Sequence, residues 1–359
     1  MKIAIRHSCH GIALIIVMVS ILAISIIAGA FAYSMKIETK LARNANSETE
    51  LEWLGRSGVE YARYCLAERL TPRRRGSDQD PSWPGVLVNL VNAVSGPLPG
   101  TDPEPLPNPN QIWELGNGRF HIAKITNLES KFNINWCILP NYRIILDRAL
   151  MVMGVDVGNQ TAIAGSIIDW MDSDSMPQPG GGAEKDYYRG LPTPYRPKNG
   201  PIAELSEMLL IKNVADIFSG LAVPNNPESG APPIALTNFF TTLGTGRINI
   251  NTASDEALQL LPDVDINLAQ AIVAGRVPVS DPNAGGAGLT GPYKSVEELR
   301  RLPLMPLPLI ARITPYCDVR SYTFEVQVEA EVGGYIRQFI AVIGASNPND
   351  PQVLNFYSQ

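Results

Sequence analysis

The chemically richest stretch of the 359-residue chain is IIDWMDSDSMPQPGGGAEKDYYRGLPTPYRPKNGPIAEL, residues 167–205. Asp169, Asp172 and Asp174 precede a Gly-rich loop, and Glu184 and Asp186 follow it, so one turn of chain can bring five carboxylates together. Clustered hard oxygens suit Ca²⁺, which takes six to eight oxygen ligands at about 2.3–2.6 Å. The spacing is not that of an EF-hand loop. A solvated acidic loop, its repulsion screened by water, is the plain alternative. Catalysis has little to work with, because no His or Cys lies close by and the His residues are at 7, 10 and 121. The stretch therefore points to a cation site or a solvated loop, and away from an enzyme.

The elements around it must position those carboxylates. Gly and Pro, 30 of each, predict many loops, with breaks at 95–111, 176–184, 222–233 and 277–292. Two similar segments, GPIAELSEMLLIKNV (200–214) and GPYKSVEELRRLPLM (291–305), each place Gly-Pro before a short Glu-Leu-bearing amphipathic helix and read as a duplicated unit. Between them, RININTASDEALQLLPDVDINLAQAIVAGR (247–276) opens extended and then starts a helix that Thr252 or Ser254 can cap, with Asp255 and Glu256 in its first turn. GRFHIAKITNLESKFNINW (118–136) reads as a strand, a polar turn and a short extended stretch. In SYTFEVQVEAEVGGYIRQFIAVIGA (321–345), Phe324, Val326, Val328 and Ala330 alternate with polar residues and Gly333-Gly334 supplies a hairpin turn. Net charge of -6 and 18 % charged residues argue against a nucleic-acid-coating protein. Cys9, Cys65, Cys137 and Cys317 make no complete disulfide framework if the N-terminus is cut; Cys137 and Cys317 can pair in an oxidising compartment or stay buried thiols.

The N-terminus sets the compartment. Ile12 to Tyr33 is 22 residues without a charge, long enough to cross the roughly 30 Å hydrocarbon core as a helix. It is longer than the apolar region of an ordinary signal peptide. Helical spacing continues beyond it to about Leu70, with Leu41, Ala45, Leu51, Leu54, Gly58, Val59 and Ala62 on one face that would pack on a sheet.

A basic leader ending in Gly11, followed at once by IALIIVMV, resembles the class III signal of type IV pilins and type II secretion pseudopilins. The resemblance implies cleavage by prepilin peptidase between Gly11 and Ile12, methylation of Ile12, and retention of the apolar segment. The usual fifth-residue Glu is replaced by Ile16, a departure characteristic of the minor pseudopilin K family of type II secretion. KFNIN (131–135), DWMDSDSMPQPGGGAEKDYYRG, INTASDEALQLL and SVEELRRL resemble the segments of that family in the same order. The resemblance implies an α+β fold: a pilin-like long N-terminal helix packed on an antiparallel sheet, with a large, mostly α-helical domain inserted in the sheet region. The divisions expected are a leader (1–11), a transmembrane half-helix (12–34, including Ile16 and Tyr33), a pilin-like domain (35–139 and 316–359) and the insertion (140–315).

It further implies calcium in the insertion, held by Asp172, Asp174, Glu184 and Asp186 with Asp169 a further candidate, although Lys185 stands where the family often has another acidic residue. The implied role is a minor pseudopilin at the pseudopilus tip, anchored in the inner membrane with its body in the periplasm. Its partners would be other minor pseudopilins, the major pseudopilin and prepilin peptidase, with no nucleic acid. A subunit with Ile16 cannot neutralise the terminal amine of a neighbour within the membrane, which suits the first subunit of a filament. Two alternatives stay open. One is a type IV pilus minor pilin. The other is a membrane-anchored DNA-binding competence protein, because the 247–276 stretch resembles a helix-hairpin-helix; there Asp263 and Asp265 at the turn would repel phosphate.

Overall fold

The computed structural model describes residues 10–70, 111–218, 234–276, 293–303, 305–347 and 349–358, with the side chains of 10–13, 43–46 and 68–70 set aside. The leader before His10, the breaks at 222–233 and 277–292, and all but the last residue of the break at 95–111 lie outside the described residues. Helix α1 runs unbroken from His10 to Leu70. Side chains 14 to 42, Ile16 and Tyr33 among them, are all exposed, as the surface of an apolar rod with no protein around it.

Only the last third of α1 packs. Leu51, Leu54, Val59, Ala62 and Leu66 share a core with Phe120, Ile122, Val326, Val328 and Phe339. Glycine lets the helix sit flush on the sheet: a Cβ at Gly55 would lie 2.4 Å from the Phe339 ring, and one at Gly58 2.4 Å from Val328 Cγ1. The sequence places Leu41 on this packing face, but it is 61 % exposed. The reason is where the sheet stops. Glu50 Oε1 accepts a hydrogen bond from Asn117 N at the sheet's end, at 3.0 Å, and Glu48 pairs with Arg337 there, so Leu41 lies beyond the described strands.

The sheet is antiparallel, in the order β1 (Trp113–Leu115), β2 (Gly118–Asn127), β7 (Thr323–Val332), β8 (Tyr335–Gly344), β9 (Gln352–Ser358). Phe324, Val326, Val328 and Ala330 of β7 all face α1, as the alternation predicts. Gly333 and Gly334 both have positive φ, 56° and 85°, which the two-residue turn between β7 and β8 requires.

Between β2 and β7 the buried apolar residues among those described form a second core, reaching from Phe132 to Val319. It is built twice. Parallel ladders join β3 (Phe132–Asn133) to β4 (Phe240–Thr241), and β5 (Ile248–Asn249) to β6 (Cys317–Asp318). Each ladder starts from an Asn-Ile-Asn sequence whose first Asn caps the second: Asn135 N donates to Asn133 Oδ1 at 3.0 Å, and Asn251 N to Asn249 Oδ1 at 2.9 Å. The second Asn then clamps the residue after Gly-Pro. Asn135 Oδ1 accepts from Ile202 N at 2.7 Å while its Nδ2 donates to Ile202 O at 2.9 Å. Asn251 does the same to Tyr293, at 2.8 and 2.9 Å. A Glu five residues beyond each clamped position completes the match: Glu207 accepts from Ala203 N and Glu298 from Lys294 N.

Cys137 and Cys317 are not joined; both are buried thiols. Burial pushes Cys137 up to about 12 and Cys317 upward too, so neither ionises readily.

Candidate functional site

Helices α2 (Arg143–Val152) and α3 (Val157–Met171) form the scaffold of the acidic loop. Asp156 caps α3 by accepting from Gly158 N at 2.9 Å, and Ile163, Ala164, Ile167, Ile168 and Met171 bury its inner face. The helix ends at Met171, because Asp172 turns to extended backbone while its N–H still reaches Ile168 O, at 2.8 Å.

Asp169, in the last turn of α3, is fully buried and organises the loop that follows. Its Oδ1 accepts from Gln178 N at 3.0 Å. Only glycine fits at 182, where a Cβ would lie 2.0 Å from Asp169 Oδ2. Lys212 Nζ donates to Gly181 O at 3.2 Å from across the loop. Asn199 Nδ2 reaches back to Asp174 O at 2.6 Å, and Met176 N donates to Asp174 Oδ1 at 2.8 Å. Beneath lies an aromatic wall, with Trp170, Tyr188 and Tyr195 at ring separations of 5.2 to 6.4 Å.

Folding this way brings Asp172, Asp174 and Glu184 together, each with a carboxylate oxygen within 4.8 Å of the others. Both oxygens of Glu184, Oδ1 of Asp172 and Oδ2 of Asp169 are buried with no protein hydrogen-bond partner. Burial first, then the charge of Asp174, raises the carboxyl of Asp172; burial first, then Asp169 and Asp172, raises that of Glu184. Asp169 is raised by burial too, against the pull of the Gln178 N–H. Four orphaned carboxylate oxygens converging in one half-buried loop are a donor set that a hard cation satisfies. Asp186 and Lys185 open helix α4 (Lys185–Arg189) on the exposed side, and Asp186 is not one of the three gathered carboxylates. Gln178, Asn199 and Lys212 hold the loop and carry no ligand signature in the sequence.

The region that resembles a helix-hairpin-helix is also defined. Ser254 caps Asp255–Leu258 and Asp265 caps Ile266–Ala274. The turn between them is held by the chain itself: Arg148 donates to Gln259 O at 2.9 Å and Val264 O at 2.6 Å, and Arg312 pairs with Asp263.

Residues 130–217, which contain the acidic loop, match the family model described as "Type II secretion system (T2SS), protein K". A type II secretion system protein K of Aeromonas hydrophila is 24% identical over 338 residues, 90% of this chain and 89% of that protein. One of Pectobacterium carotovorum subsp. carotovorum is 28% identical over 182 residues, 50% of this chain and 49% of that protein, so the chain spans about half the length of that relative. Over those residues the chain is similar to protein K of type II secretion systems. Its α+β architecture is shared with a chain in the crystal structure of the GspK-GspI-GspJ complex from the enterotoxigenic Escherichia coli type 2 secretion system. That likeness has a TM-score of 0.60 at 18% identity and covers 89% of this chain and 99% of the other. The acidic loop, its glycines and its aromatic wall all fall in the segment that the family model matches.

Proposed function

We propose that this chain is a minor pseudopilin at the tip of the type II secretion pseudopilus, where it helps initiate and cap filament assembly for protein export across the outer membrane. The carrying observation is architectural. An apolar helix exposed from 14 to 42 leads into a small sheet, and between β2 and β7 of that sheet the chain departs into a second core that reaches from Phe132 to Val319. The first part suits packing into a filament through an inner-membrane helix; the second is bulk that blocks addition beyond it. Ile16 in the rod agrees with a subunit that has no predecessor.

The finer reading follows from the same role. Prepilin peptidase cuts between Gly11 and Ile12 and the new Ile12 terminus is methylated. The apolar helix anchors the chain in the inner membrane with the body in the periplasm. The chain assembles with two other minor pseudopilins, as its structural neighbour does with GspI and GspJ, and this complex meets the major pseudopilin below. Asp172, Asp174 and Glu184 hold Ca²⁺, with Asp169 beside them and Asp186 at the exposed rim. The ion supplies positive charge to four oxygens that otherwise repel one another in a poorly hydrated loop; the chain's own work is to hold that loop in place. The role is structural rather than enzymatic.

The test is secretion by a strain lacking the chain. Wild-type protein restores it and co-purifies with the two other minor pseudopilins, and intact mass gives a start at methylated Ile12. Secretion restored by a chain whose residues 128–322 are replaced by a short turn would overturn the capping role.

A further inference from the structure

The chain leaves the sheet at the end of β2 and returns at the start of β7, and these two crossings are tied together by buried polar groups. Glu129, in the single turn Leu128–Ser130 just after β2, is 1 % exposed. Its Oε2 accepts from Tyr322 N at 3.2 Å and from Thr323 N, the first residue of β7, at 3.0 Å. Asn127 orients it by accepting from Glu129 N at 2.9 Å, and donates to Thr252 Oγ1 at 3.0 Å and Ser321 Oγ at 2.5 Å. Asn249, from the second unit of the insertion, donates to the same Ser321 oxygen at 2.7 Å. Glu129 Oε1 lies against Gly244, in the link between the two units, and has no protein partner.

Among the described residues, this carboxylate is held by backbone N–H groups and forms no ion pair. The nearest basic residue in sequence, Lys131, donates instead to Thr237 O at 2.7 Å. A buried unpaired carboxylate is costly, and a core of this size offers apolar replacements of the same shape. What an apolar side chain cannot do is accept from two backbone N–H groups 193 and 194 residues away. We infer that Glu129 is a positioning residue, the latch that sets the insertion at one orientation on the sheet. The consequence for a filament tip rests on the function proposed above; the latch itself does not.

The test measures orientation in the full chain in detergent micelles. Nitroxides carried on unnatural amino acids at Glu60 of α1 and Asp216 of the insertion report the angle between the two cores, and a pair at Asp216 and Gln270 reports the insertion alone. Wild type gives a narrow distance distribution for both pairs. Glu129→Gln, which keeps the acceptor oxygen, leaves both narrow. Glu129→Ala at least doubles the width for the first pair and leaves the second unchanged. The latch is overturned if Glu129→Ala leaves the first pair narrow, if both pairs broaden together as in general loss of fold, or if Glu129→Gln broadens the first pair as much as Glu129→Ala.

Discussion

The two units of the insertion share a frame and differ in what they build on it. In each, a short strand that pairs with a distant one runs into Asn-Ile-Asn, whose second Asn clamps the residue after Gly-Pro, Ile202 in the first and Tyr293 in the second. In the first unit the chain between strand and clamp carries the acidic loop, with four orphaned carboxylate oxygens. The described part of the corresponding stretch in the second unit is a helical hairpin in which Arg148 bonds two carbonyls, Gln259 O and Val264 O. The same clamp thus serves a loop with four orphaned carboxylate oxygens and a hairpin whose turn is tied by the chain's own Arg148. Frame and loop should be separable, and each can be broken without the other.

The largest effect expected is on the frame. Asn251 is 1 % exposed, and Asn251→Ala strands the buried N–H and C=O of Tyr293, at roughly 1–3 kcal/mol for each group. We expect about 3 kcal/mol lost in denaturant unfolding, and somewhat less for Asn135→Ala, whose site is only half-buried. Equal insensitivity of both would remove the clamp from the comparison.

The next effect belongs to the loop alone. Ca²⁺ at 100 times its Kd should stabilise the folded chain by about 2.7 kcal/mol over EDTA, with a smaller response to Mg²⁺. Glu184→Gln should erase the gain, and the fluorescence of Trp170 should follow the titration in wild type only. Calorimetry at millimolar Ca²⁺ that finds no heat, with unchanged melting, would return the loop to a solvated turn.

Arg148→Ala sharpens the opposite half. Losing two bonds to turn carbonyls from a half-buried guanidinium should cost about 1 kcal/mol. Hydrogen exchange should quicken in 259–268, with Ca²⁺ affinity untouched.

The smallest effect is on pH dependence. Asp172 and Glu184 have folded-state carboxyls raised above their unfolded values, so their contribution favours the fold below about pH 4 and is lost as pH rises through the raised values. In EDTA the first unit should therefore melt slightly lower at pH 6 than at pH 4. Ca²⁺ binds the ionised form and should reverse the slope; a slope that Ca²⁺ leaves unchanged would detach these groups from the ion.

Much of this was legible from local pattern. The apolar run, the alternation over 324–330 and the Gly333-Gly334 turn each depend on near neighbours, and all three appear as expected. The two Gly-Pro segments were recognisable as a pair, but their clamps were not, because Asn135 and Asn251 act across 67 and 42 residues. Repetition of Asn-Ile-Asn before both units was the available signal. Within the acidic stretch the types of residue were plain and their depths were not: Asp169 is buried at a helix end, while Asp186 stands on the exposed side of the next helix. Leu41 misleads for a similar reason, since helical periodicity continues past the point where the sheet ends. Glu129 gave no warning at all, as its partners lie at the far side of the insertion.

Helix α1 is gripped at one end only, and that makes it a lever. From Leu14 to Glu48, where it pairs with Arg337 of the sheet, it extends about 50 Å. A tilt of about 5° where Gly55 and Gly58 seat against Phe339 and Val328 swings the free end by about 5 Å, roughly half a helix diameter. A single methyl added at Gly58 would then be felt chiefly at the opposite end of the rod, as a shift in where the anchor points while the sheet beside it stays folded.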